Sequence, residues 1–401
     1  MSALPDTVPH RPRPLGGIRA LKPSGRGVIR GIGRVLLGIA IGVIIFVGFS
    51  AIMRTQSVTL PAVTGESAVG RTELALADTD RIDPFATDGR IRELAVWIWY
   101  PAAGSASGTA APYLPAAWAP LVNNEGPFRQ DLEAVVTNSI AGAALEGRPP
   151  VVVLLPGLGQ PVASYTALAE DLASHGYAVV GINPSESADV VFPDGHVVNA
   201  TSLGTVAEMT VDAWYPSAER VATVWVDDAQ FVVETLRAEA PEIGALDFDR
   251  VAYIGHSMGG AAAFEACRQD ARCSGAVDLD GTLWTEVREA GLTAPGLLIQ
   301  KAAADGCDAF CARAAVDFAT VMAAPTATRL SVAGTTHMDF TDLGLMWGVT
   351  NGVALGSIEP ERMTVLIRDT VRSFLDVHVL GAPAAGFAET IGTYPELAIG
   401  E

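Results

Sequence analysis

The sequence predicts an α/β protein, a mostly parallel sheet with helices on both faces, preceded by one N-terminal transmembrane helix. Two continuous apolar runs, VVVLLPG (151–157) and YAVVGIN (177–183), have strand length and are the mark of strands buried on both faces. Between them SYTALAEDLASHG reads as a helix closed by Gly176, and this β–α–β alternation recurs toward the C-terminus. Near the start, Val35–Met53 runs nineteen residues without a charge, close to the ~30 Å of a bilayer core at ~1.5 Å rise per residue.

The chain has 401 residues, 49% hydrophobic and 18% charged, as a well-filled core requires. Its formal charge of −19 argues against nucleic acid as a partner, since little here would neutralise phosphates. That charge is unevenly spread. Residues 1–34 carry Arg11, Arg13, Arg19, Lys22, Arg26, Arg30 and Arg34 against Asp6 alone, and read as a basic, disordered cytoplasmic arm. The apolar segment 35–53 follows it as a signal-anchor, so the positive flank stays inside and the rest lies outside the membrane. A cleaved signal peptide is the rival, although its apolar region is usually ~7–15 residues.

Residues 54–70 read as a linker and 71–380 as the main domain. RELAVWIWYPA (92–102) alternates and is aromatic, as an outer strand would be. Residues 184–222 interrupt the alternation as an insertion or lid. VWVDDAQFVVETLRAEA (224–240) has helical periodicity, and RVAYIGHS (250–257) is a strand. AAAFEACRQD follows as helix, then strands at 275–281, 295–303 and 328–334, and a final helix over about 360–377. The Gly/Ala/Pro-rich tail, 381–401, docks loosely. Cys267, Cys273, Cys307 and Cys311 all fall in the outer domain, where disulfides persist; local pairs 267–273 and 307–311 are the simplest of three connectivities. No histidine or paired CxxC stands at metal-ligand spacing, so no metal and no cofactor is implied.

Gly255-His256-Ser257-Met258-Gly259 satisfies G-x-S-x-G between a strand and a helix. Such a turn leaves the serine hydroxyl exposed at the C-terminal rim of the sheet. A hydroxyl needs a base before it attacks. Of six histidines, His10 lies on the arm, His175 precedes a strand, His196 lies ahead of the serine, His256 points away from its neighbour and His378 follows the last helix. In enzymes built on this elbow the chain order is serine, acid, histidine, and only His337, after the strand TRLSVAG, fits. The acid that holds the imidazole ends a strand as Asp280 or follows one as Asp305; topology alone slightly prefers Asp305, and Asp278 lies deeper. Of the two N–H donors an oxyanion needs, one is Met258, directly after the nucleophile, and the other belongs to the turn after VVVLLP.

VVVLLPGLG, DLASHGYAVVGIN, GHSMGGAA, the DLDG strand end and GTTHMDF together resemble the platelet-activating factor acetylhydrolase family, the plasma and type II branch of the α/β-hydrolases. The similarity runs from about residue 92 to 375. It implies an α/β-hydrolase fold, Asp280 as the acid with Asp305 as the alternative, and Leu158 as the second oxyanion donor. Where that family usually has HGLG, this chain has Pro156-Gly157-Leu158-Gly159. The expected protein is a membrane-anchored, extracytoplasmic serine hydrolase of small-molecule or lipid esters with short acyl chains. A broad carboxylesterase or polyester hydrolase and a non-catalytic binding module are the alternatives. WYPAA, PYLPAAWAPLV and DAWYP are candidate acyl-pocket segments, and Asn199-Ala200-Thr201 matches a glycosylation acceptor. The sequence carries no signal of oligomeric state.

Overall fold

The computed structural model describes residues 25–54, 56–104, 106–118, 121, 131–206, 211–239, 246–302, 309–346 and 355–400. The chain divides into two compact units, Met1–Ala51 and Ile52–Glu401. Helix α1 spans Gly25–Arg54, most of it in the first unit, and holds an apolar stretch, Ile29–Met53, of mean hydropathy 2.8 that is long enough to cross a membrane.

The second unit is built on a ten-stranded sheet. Its strands, in chain order, are β1 (Ala68–Ile82), β2 (Ile91–Ala102), β3 (Ser139–Ala141), β4 (Pro150–Leu155), β5 (Ala178–Asn183), β6 (Asp247–His256), β7 (Cys273–Leu279), β8 (Gly296–Lys301), β9 (Ala327–Val332) and β10 (Leu397–Ile399). Their spatial order is β10-β9-β8-β7-β6-β4-β5-β2-β1-β3. From β9 to β5 every pair is parallel; β2 joins both its neighbours antiparallel, and β10 pairs antiparallel with β9.

Period-two alternation sorts the strand side chains into two cores. Val152, Leu154, Val179, Ile254, Val277 and Ile299 meet helices α2 (Thr166–Ser174) and, later in the chain, Pro360–His378 on one face. Val151, Val153, Val180, Tyr253 and Leu298 meet α3 (Val211–Glu239), α4 (Met258–Gln269) and α5 (Ala309–Met322) on the other. Helix α6 (Pro360–His378) starts as its sequence dictates. Glu359 accepts a hydrogen bond from the Arg362 N–H, and Pro360 occupies the first turn, where no N–H is needed.

Four expectations change. The strand expected at the rim, β2, lies inside the sheet and is buried on both faces, with Trp97 and Trp99 on one side and Val96 and Ile98 on the other. Its aromatic alternation is a packing pattern, not an edge pattern. The linker is anchored: the carbonyls of Pro61 and Ala62 accept from the Arg368 guanidinium, and the Thr64 N–H and hydroxyl donate to Asp171. The tail forms helix α7 (Ala384–Thr393) and supplies the edge strand β10, because Leu397 and Ile399 register against Val332 and Leu330. Helix α3 begins at Val211, inside the expected insertion, whose remainder holds a two-stranded ribbon, Val190–Val191 with Val197–Val198.

The Cys267–Cys273 disulfide ties the end of α4 to the start of β7, as the spacing suggested. Cys307 lies outside the described residues.

Candidate active site

The glycines of the elbow are there because nothing larger fits. A Cβ on Gly255 would stand 2.0 Å from the Gly259 carbonyl oxygen, and one on Gly259 would stand 2.2 Å from that of Leu155. Strand β6 and helix α4 therefore meet backbone to backbone. Between them Ser257 is forced to φ +57°, ψ −118°, a left-handed conformation that an L-residue holds only when its surroundings impose it. Its N–H is held by the Leu279 carbonyl at 2.9 Å, and its own carbonyl accepts from Gly260. The Ser257 hydroxyl makes no hydrogen bond among the described residues.

Asp280 follows β7 and His337 follows β9, both at the rim where Ser257 sits. The imidazole Nδ1 of His337 is 2.6 Å from Asp280 Oδ2. Because a carboxylate only accepts, Nδ1 carries the proton and Nε2 is left with its lone pair. The carboxylate is fixed from the other side by Lys301, whose N–H donates to Oδ1 at 2.9 Å and whose ammonium lies 3.0 Å from Oδ2. Burial works against its charge, but the His337 hydrogen bond, with the His337 and Lys301 charges, holds the carboxyl below the usual range. His337 opens a short helix, His337–Phe340, stapled by Thr336 and Asp339: the Thr336 N–H donates to Asp339 at 2.6 Å. Asp305 lies outside the described residues. Asp278 is fully buried beneath the elbow, where it accepts from the Gly281 N–H at 2.7 Å and is pushed well above the carboxylate range by burial.

The turn Pro156–Gly159 follows β4. The Gly157 N–H donates to the Tyr165 hydroxyl, whereas Leu158 and Met258 N–H have no hydrogen-bond partner among the described residues. Three participants, His256, Tyr165 and Lys301, escape sequence reasoning. The His256 ring is buried between Tyr165 and the His337 backbone, and its centroid is 4.5 Å from that of His337. In the sequence Lys301 is one residue of the expected strand 295–303, with nothing to mark it as a partner of Asp280. For Tyr165 and His256 the partners lie 91 and 81 residues apart, so no local pattern announces them. An apolar groove of about 670 Å³, lined by Phe318, Met322, Phe387 and Ile391 among others, lies at the far edge of the sheet and includes none of these groups. Among the described residues no cluster could hold a metal ion.

Fold and site define an α/β-hydrolase of the esterase kind. The solved structure of a ferulic acid esterase from Streptomyces cinnamoneus matches with a TM-score of 0.75 and 29% identity, over 86% of this chain and all of that one. A probable 1-alkyl-2-acetylglycerophosphocholine esterase of Arthroderma benhamiae is 25% identical over 144 residues, 36% of this chain. The matched region spans about a third, 34%, of that relative's length. No family model matches the chain. The resemblance to the acetylhydrolases read from the motifs thus recurs in a curated relative.

Proposed function

We propose that the chain is a serine ester hydrolase with Ser257 as nucleophile, His337 as general base and Asp280 as its orienting acid. The observation that carries the reading is the Asp280–His337 contact of 2.6 Å at the rim occupied by the strained Ser257. As Ser257 Oγ attacks the ester carbonyl carbon, His337 Nε2 takes its proton, and the carbonyl oxygen becomes an oxyanion between the Leu158 and Met258 N–H groups. Collapse expels the alcohol, protonated by His337, and leaves an acyl-serine. Water, deprotonated by the same imidazole, then releases the acid. The Ser257 hydroxyl makes no hydrogen bond to His337 among the described residues, and in such sites that contact often forms only with substrate bound.

The substrate class is a short-acyl ester or phospholipid, supported by the acetylhydrolase relative and by the motifs it shares. A second reading, a broad carboxylesterase acting on aromatic acyl esters, is favoured by the ferulic acid esterase, which matches far more of the chain. The α1 stretch and the basic arm support a membrane-anchored, extracytoplasmic domain, and the disulfide fits that oxidising side. A fluorophosphonate probe is the direct test. The wild type labels at Ser257, and Ser257→Ala does not; a folded wild type that stays unlabelled ends the catalytic reading. Turnover of p-nitrophenyl esters of rising chain length beside methyl ferulate separates the two substrate classes.

A further inference from the structure

Three loops that belong to the proposed machinery are joined by one continuous line of hydrogen bonds. The Gly157 N–H donates to the Tyr165 hydroxyl at 2.9 Å, that hydroxyl lies 2.8 Å from His256 Nδ1, and His256 Nε2 lies 2.9 Å from the His337 carbonyl oxygen. The direction of every bond is fixed. A carbonyl only accepts, so Nε2 carries a proton. Burial first, then the neighbouring His337 charge, pushes His256 down to about 3, so the ring is neutral and Nδ1 must accept. The Tyr165 hydroxyl therefore donates to Nδ1 while accepting from Gly157. Tyr165 and His256 are both almost wholly buried, at 1% exposure each, so water does not compete for these bonds. There is no slack between them: a Cβ on Gly157 would stand 2.9 Å from His256 Nδ1.

We propose that Tyr165 and His256 are positioning residues for ester hydrolysis, a fixed relay that locks the oxyanion turn to the loop carrying the catalytic base. The proposal rests on the serine-esterase reading above. The relay occupies the Gly157 N–H and so leaves the next one, Leu158, to the oxyanion. At its other end it pins the His337 backbone. The base is then held at two points, its Nδ1 by Asp280 and its carbonyl by His256, and the second comes from the residue adjoining the nucleophile. Where the resembling family has a histidine before GLG, this chain has Pro156, and the Tyr165 hydroxyl instead secures the turn by its backbone.

Steady-state kinetics on p-nitrophenyl butyrate with Tyr165→Phe, His256→Gln and His256→Leu tests this. Tyr165→Phe keeps shape and lowers kcat about tenfold with KM within about twofold, because a misplaced donor and base are felt in the transition state. His256→Gln can still donate to the His337 carbonyl and restores most of the kcat that His256→Leu loses; a merely space-filling role would not separate the two. Wild-type kcat in folded Tyr165→Phe, or equal kcat in the two His256 variants, overturns the relay. Nitrogen NMR of the wild type gives a readout free of any variant. His256 shows protonated Nε2 and bare Nδ1 from pH 8 to 5, and a ring that titrates near 6.5 sinks the proposal. Ser257→Ala and probe labelling are run beside these: an unlabelled, inactive wild type removes the esterase reading, whereas a labelled, active one with indifferent variants removes the relay alone.

Discussion

At Asp280 an imidazole N–H, one ammonium and one backbone N–H converge on a single carboxylate, and this decides how firmly the His337 ring is held. Asp280→Asn replaces one acceptor oxygen by a donor and favours the wrong imidazole tautomer; kcat for a p-nitrophenyl ester is expected to fall about 10⁴-fold. Lys301→Met should cost much less, about threefold to tenfold in kcat, because the ammonium is half-exposed and the Lys301 N–H still holds Oδ1. Buried acids set the pH dependence of stability. Asp342 is enclosed near Tyr113, Ala167 and Arg368, and burial, opposed by the Ala167 N–H, pushes its carboxyl up to about 8. Below that value the native state keeps a proton that the unfolded chain has lost above ~4, so this stability is present in acid and is lost as pH rises through about 8. Asp278 has the same sign. His256 has the opposite one: held neutral down to about 3, it disfavours the fold as pH drops below ~6.5, where the unfolded chain takes up a proton. Thermal melts from pH 6.5 to 8.5 should therefore show a falling midpoint that Asp342→Asn partly flattens; an unchanged slope in that variant would exclude this account.

The strand–elbow–helix element of β6 and α4 tolerates no side chain at its glycines. Gly259→Ala drives a methyl into the Leu155 and Pro156 carbonyls, and neither backbone can retreat without parting β4 from α4. A loss of roughly 3 kcal/mol or more is expected, read as a shift of the urea midpoint. This element was legible because its constraint is local: five consecutive residues declare a turn, and the apolar runs on either side declare its strands. Chain order picks His337 as the candidate base and a family likeness picks Asp280 as the candidate acid, and the two lie in contact. Elsewhere the constraint is spread over the fold. β1 alternates on a half-exposed surface, with Leu74 and Leu76 beside Glu73 and Asp78, and gives a weaker signal than a buried run. The tail reads as a loop because alanine, glycine and proline carry little periodicity; its helix and strand come from packing against α6 and β9. Tyr165 looks like any aromatic on a helix until His256 is placed beside its hydroxyl.

On the scale of the whole molecule, the proposed anchor and the hydrolase unit make separable predictions. The full-length protein should remain in the membrane pellet after alkaline carbonate and enter solution only with detergent, as a chain held by α1 must. Release into the supernatant as a shortened chain would mark the segment as a cleaved leader instead. Within the hydrolase unit, parallel strands collect the proposed catalytic residues at one pole. Ser257, Asp280 and His337 follow the C-terminal ends of β6, β7 and β9, while Cys267 and Cys273 join α4 to β7 at the opposite pole. Opening that short covalent loop with dithiothreitol should lower the melting midpoint, in line with roughly 2 kcal/mol of chain entropy returned to the unfolded state, yet leave turnover at 25 °C intact. A bench preparation kept in reductant would then be deceptive: fully active when freshly assayed, and losing its activity on warm storage.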